Sequence, residues 1–211
     1  MQILIASNNP AKVREIQAVL SVADSVGTPT RWVSVADLSQ PIPEPEETGS
    51  SFVENATLKA IHYARASGLW ALADDSGLEV DALAGEPGVH SAYFDRAAAH
   101  LPRAERDAAN NAKLVAALRD VPEPHRTARY RCLMVLAEAD QVLATADGVF
   151  EGRIVLEPRG EGGFGYDPYF LVPELGMTVA ELSAEHKNRI SHRGKALAIM
   201  RGKIGELSRR R

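Results

Sequence analysis

The segment from Gly160 to Pro168 carries the residue types of a site for a nucleobase. Its sequence, Gly-Glu-Gly-Gly-Phe-Gly-Tyr-Asp-Pro, has four glycines within six positions and closes on an Asp-Pro pair. Glycine costs backbone entropy in regular structure and proline removes a donor, so the segment predicts a shaped loop that can approach a ligand at Gly165. Phe164 and Tyr166 would offer flat faces to a base, and Asp167 would accept hydrogen bonds from it. The alternative is an ordinary turn whose aromatic side chains fill the core.

Two adjacent carboxylates, Asp74 and Asp75, follow an apolar run from Leu69 to Ala73 that predicts a buried strand ending at the aspartates. Ligands of parallel α/β sheets bind beyond the carboxyl ends of the strands, which makes this a reactive position. Successive strand residues point to opposite faces, so we expect the two aspartates to have different roles. Enclosed neighbouring carboxylates repel each other, and a divalent cation would relieve that repulsion. A surface turn is the alternative.

A second acidic pair, Glu46 and Glu47, lies after a proline-rich connector and just ahead of a predicted helix. Ser51 and Glu54 fit a capping box at the start of that helix, and Gly68 marks its end. Acidic residues ahead of a helix stabilise its positive end, and they can equally bind a metal ion. The residues themselves leave both interpretations open.

Lys12 lies in the first turn of a predicted helix from Ala11 to Leu20, after an apolar strand and a Ser-Asn-Asn-Pro turn. A strand that passes through a polar turn into a helix presents backbone N–H groups at the positive end of the helix dipole, which suits a phosphate. A lysine there opposes the dipole unless an anion neutralises it. The segment lacks the glycines and the Lys-Ser/Thr pair of a Walker A loop. A plain strand-to-helix turn is the alternative.

Three further donors, Lys187, His192 and Arg193, surround a break at residues 188–191. Ser191 can cap the last helix, predicted to run to about Leu207. Donors grouped beside a helix start suit an anionic ligand. The alternative is that these residues are structural, as a lone histidine or arginine usually is.

Composition sets the class of protein. With 211 residues, 45% hydrophobic and 25% charged, the chain predicts one large domain or two small lobes with a substantial core. A net charge of −4 argues against a general duplex-binding protein, so we expect no nucleic acid among its partners. The lone Cys132 excludes an internal disulfide, and its apolar surroundings predict a buried, inert thiol. No signal peptide and no apolar run of about 20 residues is evident, so we expect a cytoplasmic protein without a membrane segment.

The remaining pattern favours a mixed sheet. The runs Thr127 to Ala137 and Val142 to Phe150 are rich in β-forming residues and predict a hairpin. The intervening segment from Arg103 to Leu118 predicts a helix. Its inward positions are expected to be Ala108, Ala112, Val115 and Leu118.

Five segments, in their order along the chain, resemble the motifs of the inosine/xanthosine triphosphate pyrophosphatase, or Ham1-like, family. Asn8 stands where that family often has glycine; asparagine tolerates the left-handed conformation, so we expect the loop geometry to be kept. The matching segments are Ser7-Asn-Asn-Pro-Ala-Lys12, Glu46-Glu-Thr-Gly49 with Phe52-Val-Glu-Asn-Ala56, Ala73-Asp-Asp-Ser-Gly-Leu78, Gly162-Gly-Phe-Gly-Tyr-Asp-Pro168 and Ser191-His-Arg-Gly194.

The resemblance implies an elongated two-lobed α/β fold, with a long central mixed sheet flanked by helices and an active-site cleft between the lobes. It implies a single domain over residues 1–211 without a separable linker, and a homodimer. The implied reaction is the Mg²⁺-dependent hydrolysis of non-standard purine nucleoside triphosphates (ITP, dITP, XTP) to the monophosphate and pyrophosphate.

The resemblance also implies roles for individual residues. Asp75 and Glu46 would hold the magnesium ion, with Glu47 as a close competitor of Glu46, and Asp75 would also accept the proton. Substrate binding would fall to Ser7, Asn8, Asn9, Pro10, Ala11 and Lys12 for the phosphates, to Ser76, to Phe164, Gly165, Tyr166 and Asp167 for the base, and to Lys187, His192 and Arg193 for base and phosphate contacts.

Two other functions fit part of the pattern. A nucleotide-binding sensor without turnover would use the same loop and basic residues, but the two acidic pairs argue against it. A phosphatase of modified nucleotides or sugar phosphates would differ in its products.

Overall fold

The chain forms an α/β fold around one seven-stranded mixed sheet, in the strand order β2-β1-β3-β4-β5-β6-β7. The computed structural model describes residues 1–21 and 30–210. β1 pairs in parallel with β2 and β3, whereas β6 pairs antiparallel with β5 and β7. The strands are Gln2–Ile5 (β1), Arg31–Ser34 (β2), Trp70–Val80 (β3), Thr127–Glu138 (β4), Gln141–Ile154 (β5), Phe170–Val172 (β6) and Met177–Thr178 (β7). The predicted α/β class with a mixed sheet is confirmed.

The helices begin and end close to the predicted positions. Gly68 adopts φ 69° at the end of the second helix, as its stop signal predicts. Of the expected capping box, Ser51 accepts from the Glu54 backbone, whereas the Glu54 carboxylate turns to Ser50. The helices are Pro10–Ser21 (α1), Phe52–Ser67 (α2), Arg103–Leu118 (α3), Ala184–Ile190 (α4) and His192–Arg209 (α5).

The third strand differs from its prediction. It does not end at Asp74 but continues to Val80. Its parallel pairing with β1 reaches only Leu72, opposite Ile5, where β1 ends. Asp74 and Asp75 therefore still lie beyond the carboxyl end of a parallel neighbour, although their own strand continues.

Contacts within the chain divide it into two compact units. The first comprises Met1–Asp75, Cys132–Gly148 and His192–Arg211, and the second comprises Ser76–Arg131 and Val149–Ser191. The expectation of a single domain stays a prediction. Across residues 1–21 and 30–210, no helix combines the length and the apolar character needed to cross a membrane.

In the first unit, helices cover the sheet on both faces. On one face, Ile3 and Ile5 of β1 pack in a cluster with Ile16 of α1 and Leu197 of α5. On the other face, Leu4 packs in a cluster with alanines of α2. This alternation is the period of two that a strand imposes on its side chains. Cys132 is fully buried, as predicted, and burial raises the pKa of its thiol.

In the second unit, the inward face of α3 matches its prediction only in part: Leu118 is buried as expected, and Val115 is half-buried. Ala108 and Ala112 are exposed. The buried positions are Asn110, Asn111, Leu114 and Leu118. Two asparagines thus occupy buried positions where alanines were expected, because their amide groups find hydrogen-bond partners in the loops that α3 supports.

Gly148 of β5 tests the packing of the first unit. A Cβ atom there would lie 2.1 Å from the carbonyl oxygen of His192 and 2.7 Å from the Ala196 nitrogen, both in the backbone of α5. We predict that Gly148→Ala lowers the free energy of unfolding by about 1–3 kcal/mol, since these backbone atoms must move. Gly202→Ala, on the exposed face of α5 with nothing within 4 Å of the new Cβ, should raise it by up to about 1 kcal/mol. Urea unfolding measures both, and equal stability of the two variants would contradict the packing described.

Candidate active site

The turn between β1 and α1 is held by Asn9. Its side-chain oxygen accepts from the backbone N–H groups of Ala11 at 3.0 Å and Lys12 at 3.3 Å, so Asn9 is the N-cap of α1. Pro10 takes the first helical position, where its missing N–H costs nothing. The turn has the expected shape, but two of the backbone donors expected to bind phosphate are occupied by Asn9.

Asp74 is the centre of a buried charge cluster in the first unit. It is 2% exposed, and its Oδ2 lies 3.1 Å from the Lys12 ammonium and 3.2 Å from the Arg193 guanidinium. Burial alone would raise the pKa of Asp74, but the attraction of Lys12 and Arg193 lowers it well below its ordinary value. Asp74 is therefore ionised at neutral pH and holds two cations at the end of the β1–α1 turn.

Arg193 is tied down from two sides. Its guanidinium donates to Asp74 and, at 2.5 Å, to Glu15 of α1. Burial opposes its charge, but the two carboxylates raise the pKa of Arg193. His192, beside it at the start of α5, is 5% exposed. The structure thus places Arg193 in a structural network, and the predicted contacts of Arg193 and His192 with substrate stay predictions.

Asp75 points to the opposite face from Asp74, as predicted, and meets α2. Its Oδ1 lies 3.0 Å from the Lys59 ammonium, and its Oδ2 accepts from the Asn55 amide at 3.3 Å. Lys59 also lies 2.6 Å from Glu47. Burial would lower the pKa of Lys59, but Asp75 and Glu47 raise it, so the ammonium stays charged between the two carboxylates.

The pKa of Asp75 moves in the opposite direction from that of Asp74. Burial raises the pKa of Asp75, and although Lys59 and Lys12 lower it, Glu47 raises it again. A carboxylate with a raised pKa accepts a proton more readily, which suits a general base. Sequence reasoning expected different roles for the two aspartates, and their environments are indeed opposite.

The carboxylates around Lys59 fit a magnesium ion of the kind that is completed by a substrate. In the described parts of the chain, no group of three or more His, Cys, Asp or Glu side chains forms a ready metal site. Mg²⁺ commonly uses one or two carboxylates together with substrate phosphates, so Asp75 and one glutamate suffice. Both glutamates are exposed on the same connector, but only Glu47 has a described link to Asp75, through Lys59. The geometry favours Glu47 as the nearer partner, and Glu46 as a ligand stays a prediction.

Asn8 joins the turn to two other parts of the first unit. Its amide donates to the hydroxyl of the buried Tyr63 at 3.2 Å and to the Glu44 carboxylate at 3.3 Å. Burial raises the pKa of Tyr63, and Glu44 adds to that effect, so the hydroxyl stays protonated. Asparagine at this position, where the resembling family often has glycine, thus has a structural use.

The glycine-rich loop of the second unit is closed by Asp167. Its Oδ2 accepts from the Phe164 backbone N–H and from the Lys187 ammonium, both at 2.8 Å, and its Oδ1 accepts from the Tyr130 hydroxyl at 3.2 Å. A Cβ at Gly163, which has φ 75°, would lie 2.0 Å from Asp167, so only glycine fits there. Asp167 shapes the loop, and its contact with a base stays a prediction.

The two aromatic residues of the loop differ in how far their side chains are exposed. Tyr166 is 5% exposed, packs in the core of the second unit and donates to the carbonyl of Ser91 at 2.7 Å. The structure therefore favours the alternative of a core side chain for Tyr166, and contact of its ring with a base stays a prediction. Phe164 is partly exposed, and the Lys187 ammonium lies 4.7 Å from its ring centroid. Contact of a base with Phe164 in the loop and with Lys187 on α4 stays a prediction.

Sequence reasoning missed several residues that shape these sites. Lys59 is the most important, because it neutralises Asp75. A signal was present: Asn55 and Lys59 lie four residues apart, next to alanines at positions 56 and 60, so two polar side chains share the buried side of an apolar helix. The other missed residues are Glu15, Tyr63, Ser91, Asn110, Asn111 and Tyr130.

Comparison with known proteins gives the class to which these sites belong. The family model described as the Ham1 family matches residues 3–203. The chain belongs to the Ham1 family.

Curated relatives match the chain over almost its whole length. A dITP/XTP pyrophosphatase from Methylococcus capsulatus is 49% identical over 209 residues, which is 98% of each chain. A dITP/XTP pyrophosphatase from Pseudomonas aeruginosa is 48% identical over 207 residues, 97% of each.

Solved structures show the same fold. A HAM1 protein from Coxiella burnetii has a TM-score of 0.83 at 40% identity, covering 98% of this chain and 99% of the other. A nucleoside-triphosphatase / dITP/XTP pyrophosphatase from Mycobacterium abscessus has a TM-score of 0.71 at 39% identity, covering 95% and 98%.

The opposite environments of the carboxylates can be tested in the metal-free protein. We predict that Asp75 titrates above the ordinary aspartate value of 3.8, and that Lys59→Met raises its pKa further because an attracting cation is lost. Asp81 is the internal control. Hydrogen bonds from Arg129 and Thr127 lower its pKa, and Lys59 does not contribute to that shift. Carboxyl-carbon NMR resolves both titrations. An Asp75 pKa at or below 3.8 would contradict this account of its environment.

Proposed function

We propose that this protein hydrolyses non-standard purine nucleoside triphosphates, ITP, dITP and XTP, to the nucleoside monophosphate and pyrophosphate with Mg²⁺. The observation that carries the proposal is the pair of aspartates with opposite environments, next to the cationic turn of Lys12, in a chain of the Ham1 family. The names of the relatives as dITP/XTP pyrophosphatases support the substrate class. A homodimer in the cytoplasm belongs to the same proposal by resemblance.

The phosphates would bind at the β1–α1 turn of the first unit. Lys12 offers an ammonium beside the buried Asp74, so its position is set before the substrate arrives. The hydroxyl of Ser7, which accepts from the Asn9 backbone, can still donate its proton in the same turn, whereas the Asn8 amide would have to release Tyr63 or Glu44 to do so. Since Asn9 occupies two backbone donors, side chains rather than the helix N-terminus carry most of this binding.

Asp75 would accept the proton of the attacking water. Its raised pKa makes Asp75 a better base than an ordinary aspartate. The Lys59 ammonium, 3.0 Å from Asp75, would stabilise negative charge that develops at the reacting groups. Asp75 and Glu46 or Glu47 would hold a magnesium ion together with phosphate oxygens, and the bound ion would supply charge neutralisation for attack of water at the α-phosphorus.

The base would bind at the glycine-rich loop of the second unit, against Phe164. The Lys187 ammonium is a donor only, so it can pair with the 6-oxo group of hypoxanthine or xanthine and not with the 6-amino group of adenine. An unpaired buried donor costs about 1–3 kcal/mol, so one such mismatch discriminates by roughly 5- to 150-fold.

A sensor that binds nucleotides without turnover is the second candidate, because the cationic turn and the loop need no catalysis to bind. The raised pKa of Asp75 and its contact with Lys59 favour the enzyme, since a sensor has no use for a proton acceptor.

Product analysis separates these functions. We predict that purified protein with Mg²⁺ releases pyrophosphate from dITP and XTP, and that Asp75→Asn lowers turnover by about 100- to 10,000-fold, since a proton acceptor is lost. The variant should fold normally, because asparagine has nearly the same shape. Glu46→Gln and Glu47→Gln, measured for Mg²⁺ dependence, show which glutamate serves the metal.

Release of orthophosphate alone would favour a phosphatase, and tight binding without any product would favour the sensor. Retained activity in Asp75→Asn would remove Asp75 from the mechanism.

A further inference from the structure

A second cation lies over the ring of Phe164. The guanidinium carbon of Arg103, the first residue of α3, is 4.9 Å from the ring centroid, while the Lys187 ammonium is 4.7 Å from it. Arg103 has no part in the function proposed above. Both contacts lie within the distance of a cation–π interaction.

The two cations over the ring differ in their exposure and in the length of their ion pairs. Lys187 is 5% exposed and donates to the buried Asp167 at 2.8 Å, so it is fixed in the loop. The Arg103 side chain is 36% exposed, and its ion pair with Asp107, one turn along α3, is 3.6 Å long. A pair of this kind on a helix surface contributes little. The Arg103 side chain is therefore much more exposed than that of Lys187.

Hydrogen bonds join α3 to the glycine-rich loop and to the segment that precedes the helix. The Asn111 amide donates to the carbonyl of Gly165 at 2.9 Å, directly behind Phe164. Asn110 accepts from the backbone N–H of Asp95 at 2.7 Å and donates to the carbonyl of Ala92 at 3.2 Å. The backbone of α3 is thus tied to the loop, and only the Arg103 side chain needs to adjust.

We propose that the purine base binds between the Phe164 ring and the Arg103 guanidinium, so that Arg103 forms the second wall of the base subsite. This proposal rests on the proposed function, in which Phe164 stacks on the base. Phe164 is itself partly exposed, and Arg103 is the more exposed of the two cations over its ring. On base entry the guanidinium exchanges its contact with Phe164 for a contact with the base.

The chemistry of arginine suits this role. A guanidinium is flat and stacks on the face of a base, which the point charge of a lysine cannot do. Stacking does not distinguish bases by their edges, so Arg103 should affect dITP and XTP alike. It is a binding residue for the base, separate from the discrimination that we assign to Lys187.

The test compares two arginines of the same helix. Arg106 also lies over an aromatic ring, but that ring is Tyr93, whose centroid is 4.7 Å from the Arg106 guanidinium carbon. We expect Arg103→Ala to raise KM for dITP and for XTP by about tenfold each, with kcat within about twofold, because a stacking partner is lost. Arg106→Ala should leave both constants near those of wild type. Arg103→Lys should also raise KM, since it keeps the charge and loses the plane.

A second readout separates base from phosphate. Inhibition by inorganic pyrophosphate, which has no base, should be unchanged in Arg103→Ala, whereas inosine monophosphate should bind more weakly by calorimetry. An unchanged or lowered KM in Arg103→Ala, or an equal rise in Arg106→Ala, would overturn the proposal.

The proposed function can fail separately. If wild type binds inosine monophosphate without releasing pyrophosphate from dITP, the reaction is wrong, and the binding constants of the variants still decide the role of Arg103. If wild type does not bind inosine monophosphate, both proposals fall.

Discussion

The buried carboxylate of Asp74 is the constraint on which the first unit depends. An ionised group at 2% exposure is costly unless its charge is compensated, and here Lys12 and Arg193 compensate it. Through these contacts one strand residue joins the start of α1 to the start of α5, and Glu15 completes the link. The same contacts fix Lys12 in the turn where phosphates are proposed to bind.

The pleat of one strand then separates structure from chemistry. Asp74 faces α1 and α5 and is locked, whereas Asp75 faces α2, where a single lysine lies between it and Glu47. Removal of one partner from a buried ion pair leaves an uncompensated charge, so the Asp74 cluster tolerates little change. Burial raises the pKa of Asp75, which is the direction that suits the proton acceptor we propose it to be.

Patterns local in sequence predicted much of this. The alternation of side chains along β3 predicted opposite faces and different roles for Asp74 and Asp75. Gly68 predicted the end of α2. The continuation of β3 to Val80 was missed, because it depends on where neighbouring strands end. Lys59 was missed because its partners lie 12 and 16 residues away in sequence. The burial of Tyr166 rather than Phe164 could not be predicted, because a loop sequence does not show which of two aromatic side chains turns inward.

A double-mutant cycle between Asp74 and Arg193 tests the central claim most directly. The free energy of unfolding would be measured for wild type, Asp74→Asn, Arg193→Met and the double variant. If the buried pair organises the unit, each single change leaves a buried charge with only one of its two partners, and the double variant loses less than the sum by about 1–3 kcal/mol. Additivity within about 0.5 kcal/mol would contradict the account, because it would mean that the two residues do not depend on each other.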